Sequence, residues 1–239
     1  MKRVHLILTG LSLSILLLSI NRLTPLTAGY LQPYEFLRWL DFNAMLPIPL
    51  ISIVLYYLLK RQATYSSPFL KTGLYVFLNI LFITGVYFFG AGSGDHEVTN
   101  YLNSRFCDAG KTTTSVCRII AYNDDEFSHY VYYIGFILLN VTLMFDEYFM
   151  PRREKVSQKD LLFVFLNGAF IGIGIFANLA FEEIGFDLYF FGSVMLLALF
   201  LLYRRQWSIQ MLPVLFYFAT SYILGVFGTI LYKLITSNF

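Results

Sequence analysis

The sequence predicts an all-α polytopic membrane protein, a bundle of seven transmembrane helices with a cytoplasmic N-terminus and an outer C-terminus. Three observations predict it: 57% of the 239 residues are hydrophobic, only 13% are charged, and the apolar residues form seven long runs. A soluble domain averages about 25% charged residues. Since about 20 apolar residues span a bilayer, seven spans leave only short loops, and we expect a single transmembrane domain over residues 1–239.

Two of the seven apolar runs are less certain as membrane-spanning helices than the other five. The second run is short and has prolines near its start, which the first turn of a helix tolerates because its N–H groups lack partners. The first run follows Lys2 and Arg3 and could be a signal peptide cleaved after Ala28, which would leave six helices. A small residue is preferred where Leu26 stands, so we favour a retained helix. The runs cover residues 4–20, 44–59, 69–89, 127–149, 161–181, 186–203 and 211–235.

The distribution of charge predicts the orientation. With the N-terminus inside, 11 of the 17 Lys and Arg residues fall in cytoplasmic segments, as the positive-inside rule requires. Of the 15 acidic residues, 11 fall on the outer side, which is where chemistry is expected. We expect a multi-pass protein of the cell membrane (the inner membrane in a Gram-negative bacterium) in contact with membrane lipids. A net charge of +2 without a basic block argues against a nucleic-acid partner.

The two cysteines, Cys107 and Cys117, fall in the longest predicted outer loop, residues 94–126. An outer compartment is oxidising, so the sequence predicts a disulfide between them. The alternative is a pair of unrelated free thiols.

A first polar group follows the glycine-rich segment 90–94, where a bend at the end of the third helix is expected. Asp95 can cap a short helix that runs to about Phe106. On such a helix His96, Asn100 and Asn103 form one polar stripe, which could bind a ligand or simply face water.

A second polar group opens the fourth predicted helix. Asp125 and Glu126 precede His129 by four and three residues, so each shares a helical face with it. Glu-x-x-His is the spacing that carboxylate-bridged di-iron and di-manganese bundles use. The competing interpretation is that Asn123 and Glu126 form a capping box and that the acids favour the positive end of the helix dipole.

A third polar group, Glu182 and Glu183, lies near the predicted C-terminal end of the fifth helix. The helix dipole disfavours negative charge there, so these acids call for a cation, a metal or a proton. Plain exposure in a polar turn is the alternative. Deeper in the predicted helices, four asparagines are expected to form interhelical hydrogen bonds: Asn79, Asn140, Asn167 and Asn178.

Together these groups predict a site at the outer membrane interface in which His96, His129, Asp125, Glu182 and Glu183 bind a divalent transition metal. Imidazole and carboxylate ligands suit zinc, iron or manganese. The metal would activate water, with Glu126 or Glu97 as general base, and the depth suits hydrolysis of a lipid or lipid-linked substrate. Two alternatives stay open. The chain could be a transporter or channel whose outer acids attract cations, or a non-catalytic subunit that holds a cofactor such as haem between His96 and His129.

Overall fold

The computed structural model describes residues 1–64, 68–107, 114–181 and 186–236, and most of them are helical. Long apolar runs form helices because a helix satisfies its own backbone N–H and C=O groups, which lipid cannot do. The helices are α1 (Lys2–Leu23), α2 (Trp39–Met45), α3 (Pro47–Ala63), α4 (Gly73–Leu102), α5 (Ser115–Tyr122), α6 (Ser128–Phe149), α7 (Gln158–Phe181), α8 (Asp187–Arg204) and α9 (Pro213–Thr236).

Seven helical stretches in the described part of the chain are long and apolar enough to cross a membrane. This confirms the predicted all-α class and the number of candidate spans. Their surfaces carry large apolar side chains, for example Leu6 at 75% exposure and Ile83 at 67%. Extended apolar surface is rare on soluble monomers and suits contact with lipid. The stretches are Lys2–Leu23, Trp39–Ala63, Gly73–Cys107, Ser115–Phe149, Gln158–Phe181, Asp187–Arg204 and Pro213–Thr236.

The segment between the first two spans contains the only strands among the described residues. β1 (Tyr30–Leu31) pairs antiparallel with β2 (Leu37–Arg38). Tyr34 and Glu35 have positive φ angles of 65° and 52°, which turn the chain between the strands. The second span then begins at Trp39, five residues before the predicted start at residue 44.

Helix α4 is longer than the sequence predicts. It passes through the glycine-rich segment without a bend, ends at Leu102 and is extended by a π-helical turn, Asn103–Cys107. Further along the chain, α5 leads through a second π-helical turn, Asn123–Phe127, directly into α6. The sequence predicts an outer loop over residues 94–126. The structure instead shows helix over residues 94–107 and 115–126.

Gly92 in the glycine-rich segment of α4, and Gly135 of α6, serve close helix packing. A Cβ atom on Gly92 would lie 2.3 Å from the backbone N of Tyr132 in α6. A Cβ atom on Gly135 of α6 would lie 2.1 Å from the backbone N of Phe89. Only glycine fits at these two positions, so the antiparallel helices approach at backbone distance. Gly94 faces open space and has no such role.

The chain forms two compact units, each made of separate stretches of sequence. In the first, the buried side chain of Asn140 accepts a hydrogen bond from the Tyr56 hydroxyl at 2.7 Å and donates one to the Tyr222 hydroxyl at 2.6 Å. The Ser12 hydroxyl donates to Asn167 at 2.9 Å, so these two asparagines form the expected interhelical bonds. Asn79 instead donates to the backbone O of Tyr75 in its own helix at 2.9 Å. The first unit comprises Met1–Ser12, Leu55–Phe82 and Ile137–Phe239, and the second comprises Leu13–Val54 and Ile83–Phe136.

Candidate functional site

The second unit brings His96 of α4 against His129 of α6. Their ring centroids lie 4.5 Å apart. The glycine contacts at Gly92 and Gly135 set this register, because His96 lies about one helical turn beyond Gly92 along the same antiparallel pair. Two imidazoles that are 33 residues apart in sequence are therefore adjacent in space.

The same pair of helical segments is joined covalently near its end. Cys107, in the π-helical turn after α4, forms a disulfide with Cys117 of α5, with a Cα–Cα distance of 5.5 Å. This confirms the predicted disulfide. The bond links the segment after α4 to α5, beyond the glycine contacts that set the register of the histidines.

Asp124 orients the imidazole of His96. Nδ1 of His96 lies 3.2 Å from the backbone O of Asp124 and 3.2 Å from its Oδ1. Both atoms are acceptors, so Nδ1 carries the proton and donates, which leaves the lone pair on Nε2 for a ligand. Carboxylate–histidine contacts of this kind orient ligands in metal sites.

Asp124 is itself held by its neighbours. The Asn103 amide donates to its Oδ2 at 3.3 Å, and the Ser128 hydroxyl donates to its backbone O at 2.9 Å. Its side chain is buried, whereas the side chains of Asp125 and Glu126 are exposed. The carboxylate beside the histidine pair is therefore Asp124 and not the predicted Asp125.

The predicted capping box at residues 123–126 does not form. The chain enters this segment from α5 already helical, so the backbone N–H groups there have helical partners and no helix begins at Asn123. The Asn123 side chain instead donates to the backbone O of Ile119 at 2.8 Å.

Glu97, the residue that follows His96, has a buried carboxylate. It is 3% exposed, and its Oε1 accepts a hydrogen bond from the Arg22 guanidinium of α1. Its Oε2 is buried without a hydrogen-bond partner among the described residues. Arg22 and Glu97 both interact electrostatically with His96, so the ion pair and the imidazoles form one charged cluster.

A second ion pair borders this cluster. The Arg38 guanidinium donates to both carboxylate oxygens of Asp41, at 2.7 and 2.8 Å, and Asp41 is fully buried. The hydrogen bond to Asp41 raises the pKa of Arg38, so this cation stays charged. Arg38 also reaches Asn100 at 3.5 Å. The stripe formed by His96, Asn100 and Asn103 therefore contacts protein groups and does not simply face water.

The remaining predicted ligands are the two acids near the end of the fifth predicted helix, to the C-terminal side of His129. Glu182 and Glu183 lie outside the described residues. Within the described ranges, no group of three His, Cys, Asp or Glu side chains is arranged to hold a metal ion. What the described part of the cluster does bring together is two adjacent imidazoles, those of His96 and His129.

Two members of the cluster were missed by sequence reasoning. Arg22 lies 75 residues from Glu97, and nothing local indicates the pairing; the one available signal is an arginine at the end of an apolar run. Asp124 precedes His129 by five residues, a spacing that shares a face across a π-helical turn but not in the α-helix that the sequence predicts.

No protein-family model, curated protein or solved structure matches this chain. The chemistry of the site is therefore inferred from its own residues.

Proposed function

We propose that this chain is a membrane enzyme that binds one divalent transition metal between His96 and His129 and hydrolyses a lipid or lipid-linked substrate at the outer interface. The single observation that carries the proposal is the 4.5 Å separation of the two ring centroids. Zinc holds histidine nitrogens at about 2.0–2.1 Å, so two imidazoles on one tetrahedral ion have ring centres about 5 Å apart. The contact between Asp124 and Nδ1 of His96 supports the same interpretation.

A single ion fits this geometry better than haem. Two axial histidines lie on opposite sides of a haem iron, which puts their ring centres about 6 Å apart with the macrocycle between them. Here α4 and α6 meet at backbone distance at Gly92, about one turn from His96. A flat macrocycle would have to separate the helices at that contact.

The neighbouring residues suit hydrolysis. A bound zinc ion lowers the pKa of its water to about 7, which provides a nucleophile at neutral pH. Glu97 has an unused carboxylate oxygen, Oε2, that can accept a proton, and the exposed Glu126 is the second candidate base. Arg22 is one-third exposed, so its guanidinium can also meet negative charge that develops on a substrate.

The depth of the site favours a lipid substrate. His96 lies 23 residues after Gly73, the start of α4, which corresponds to about 35 Å along the helix. The hydrocarbon core is about 30 Å thick, so the cluster falls near the headgroups, where the ester and phosphate bonds of lipids lie. The charge bias of the loops favours the outer leaflet.

Metal content tests the proposal. The full chain is purified in detergent with zinc, dialysed and analysed by mass spectrometry of the elements, beside His96→Ala, His129→Ala and His5→Ala. His5 is the matched control, because it binds Asp160 at 2.6 Å in the other unit. We expect about one ion per chain in the wild type and in His5→Ala, and little in the other two variants. Equal metal in all four proteins would rule out the site.

Transport is the second candidate, and one observation favours it. Lys60 and Asp146 form a buried ion pair within one turn of the ends of two candidate membrane spans, and buried ionisable groups in such helices often mark ion pathways. The transport hypothesis predicts cation-dependent flux in liposomes. The variant His129→Ala should leave this flux unchanged, and Asp146→Asn should abolish it.

A further inference from the structure

A cleft of about 400 Å³ opens at the start of α1, within the first unit. Cationic side chains from two distant parts of the chain converge on it, and no acidic residue lines it in the described ranges. We propose that this basic cleft binds a phosphate group, either the headgroup phosphate of an anionic lipid or a free phosphate ion. The lining residues are Met1, Lys2, Arg3, Val4, Gln62 and Arg152.

Arg152 is the central residue of the basic cleft. Its backbone N donates to the backbone O of Met211 at 3.0 Å, and Val156 is tied to Gln210 in the same way at 3.0 Å. The segment after α6 is thus anchored at the arginine itself and again four residues later. The Nε atom of Arg152 is nevertheless buried without a hydrogen-bond partner among the described residues. A buried guanidinium donor without an acceptor is unfavourable, and a phosphate oxygen would satisfy it.

The rest of the basic cleft also favours an anion. Lys2 and Arg3 are exposed and lie in the first turn of α1, where unpaired backbone N–H groups and the helix dipole attract negative charge. Glu147, the acid that interacts electrostatically with Arg152, already accepts a hydrogen bond from the backbone N of Leu215 at 2.6 Å. Its charge is therefore directed toward α9.

The position of the basic cleft suits a lipid headgroup. It lies where α1 begins, at the end of a candidate membrane span, and this end faces the cytoplasm in the predicted orientation. Cytoplasmic leaflets are rich in anionic lipids, and basic pockets at helix ends bind their headgroups. A free phosphate offers the same oxygens without the acyl chains, so binding experiments can separate the two sources.

The test measures binding to the full chain in neutral detergent. The probes are short-chain phosphatidylglycerol, short-chain phosphatidylcholine and inorganic phosphate, titrated by microscale thermophoresis. Arg152→Gln is compared with Arg153→Gln, which removes the same charge from an exposed neighbour outside the basic cleft. We expect Arg152→Gln to weaken phosphatidylglycerol binding about tenfold and Arg153→Gln less than about twofold.

Each outcome decides something. Equal losses in the two variants, or equal binding of phosphatidylglycerol and phosphatidylcholine by the wild type, would overturn the proposal. Competition by inorganic phosphate at similar concentration identifies a free phosphate as sufficient, whereas binding of the lipid alone assigns the headgroup. If Arg152→Gln does not fold, the double variant Lys2→Gln/Arg3→Gln replaces it, because both side chains are exposed, and the same tenfold loss is expected.

Discussion

Arg22 and Glu97 form an ion pair between two helices that could each span a membrane, and the carboxylate is 5% exposed while the guanidinium is 33% exposed. This unequal burial means that the loss of the arginine is the more damaging change, since it leaves a buried charge without compensation.

We therefore expect Arg22→Ala to destabilise the protein by about 2–4 kcal/mol, after allowance for the exposure of the arginine. The double variant Arg22→Ala/Glu97→Gln should be more stable than the summed losses of Arg22→Ala and Glu97→Gln predict, because no unpaired charge remains. Thermal unfolding in detergent measures both effects. Arg118→Ala, at an exposed position, is the control and should leave the midpoint unchanged; an additive double variant would show that the pair is not coupled.

Asp124 and Asp125 are adjacent acids with different environments, so they form a matched pair for the proposed metal site. Asp124→Asn should weaken zinc binding about 10–100-fold, because the carboxylate that orients His96 is lost. Asp125→Asn removes the same charge from an exposed side chain and should change zinc affinity less than about twofold. Competition titration with a zinc chelator provides the constants. If Asp125→Asn has the larger effect, the assignment of Asp124 as the carboxylate that orients His96 is incorrect.

Substitutions at Gly92 and Gly94 test whether α4 is continuous and how it packs against α6. Gly92→Ala should destabilise the protein and lower zinc binding, since its Cβ would lie 2.3 Å from the backbone of α6 and force the helices apart. Gly94→Ala meets no atom within 4 Å. In a continuous helix it should stabilise by up to about 1 kcal/mol, because alanine has the higher helix propensity. Chemical denaturation of the two variants distinguishes a continuous helix from a loop at residues 90–94, because Gly94→Ala would not stabilise a protein with a loop there.

The Cys107–Cys117 disulfide should stabilise the second unit by about 2–3 kcal/mol, as expected for a short closed loop. Replacement of both cysteines by serine should lower the unfolding midpoint accordingly. It should leave zinc binding within about threefold of wild type, because the glycine contacts at Gly92 and Gly135 still set the helix register.

Thiol labelling tests the bond directly. The native chain should take up no maleimide before reduction and two equivalents after it. Labelling without reductant would contradict the disulfide, and labelling of reduced cells by a membrane-impermeant reagent would place the pair on the outer side.

The local patterns were sufficient for some features of the site and misleading for others. His96 and His129 were identified from their residue type and their position beside acids, and the disulfide followed from two cysteines in one predicted segment. Asp125 was chosen over Asp124 because a spacing of four suits an α-helix, but a π-helical turn has more residues per turn and directs a different acid inward. The glycines of α4 suggested a bend because glycine marks both turns and close helix contacts, and only the partner helix distinguishes the two.

By itself the sequence determined the class of the protein and the seven apolar helices, because a long run of apolar residues in lipid has almost no alternative to a helix. It also limited the candidates for chemistry, since ionisable residues are few in such a chain. Only the tertiary structure decided which of them meet. The approach of α4 to α6 depends on side-chain volumes on both helices, and the pairing of Arg22 with Glu97 spans 75 residues, so neither is encoded in a pattern that a local window contains.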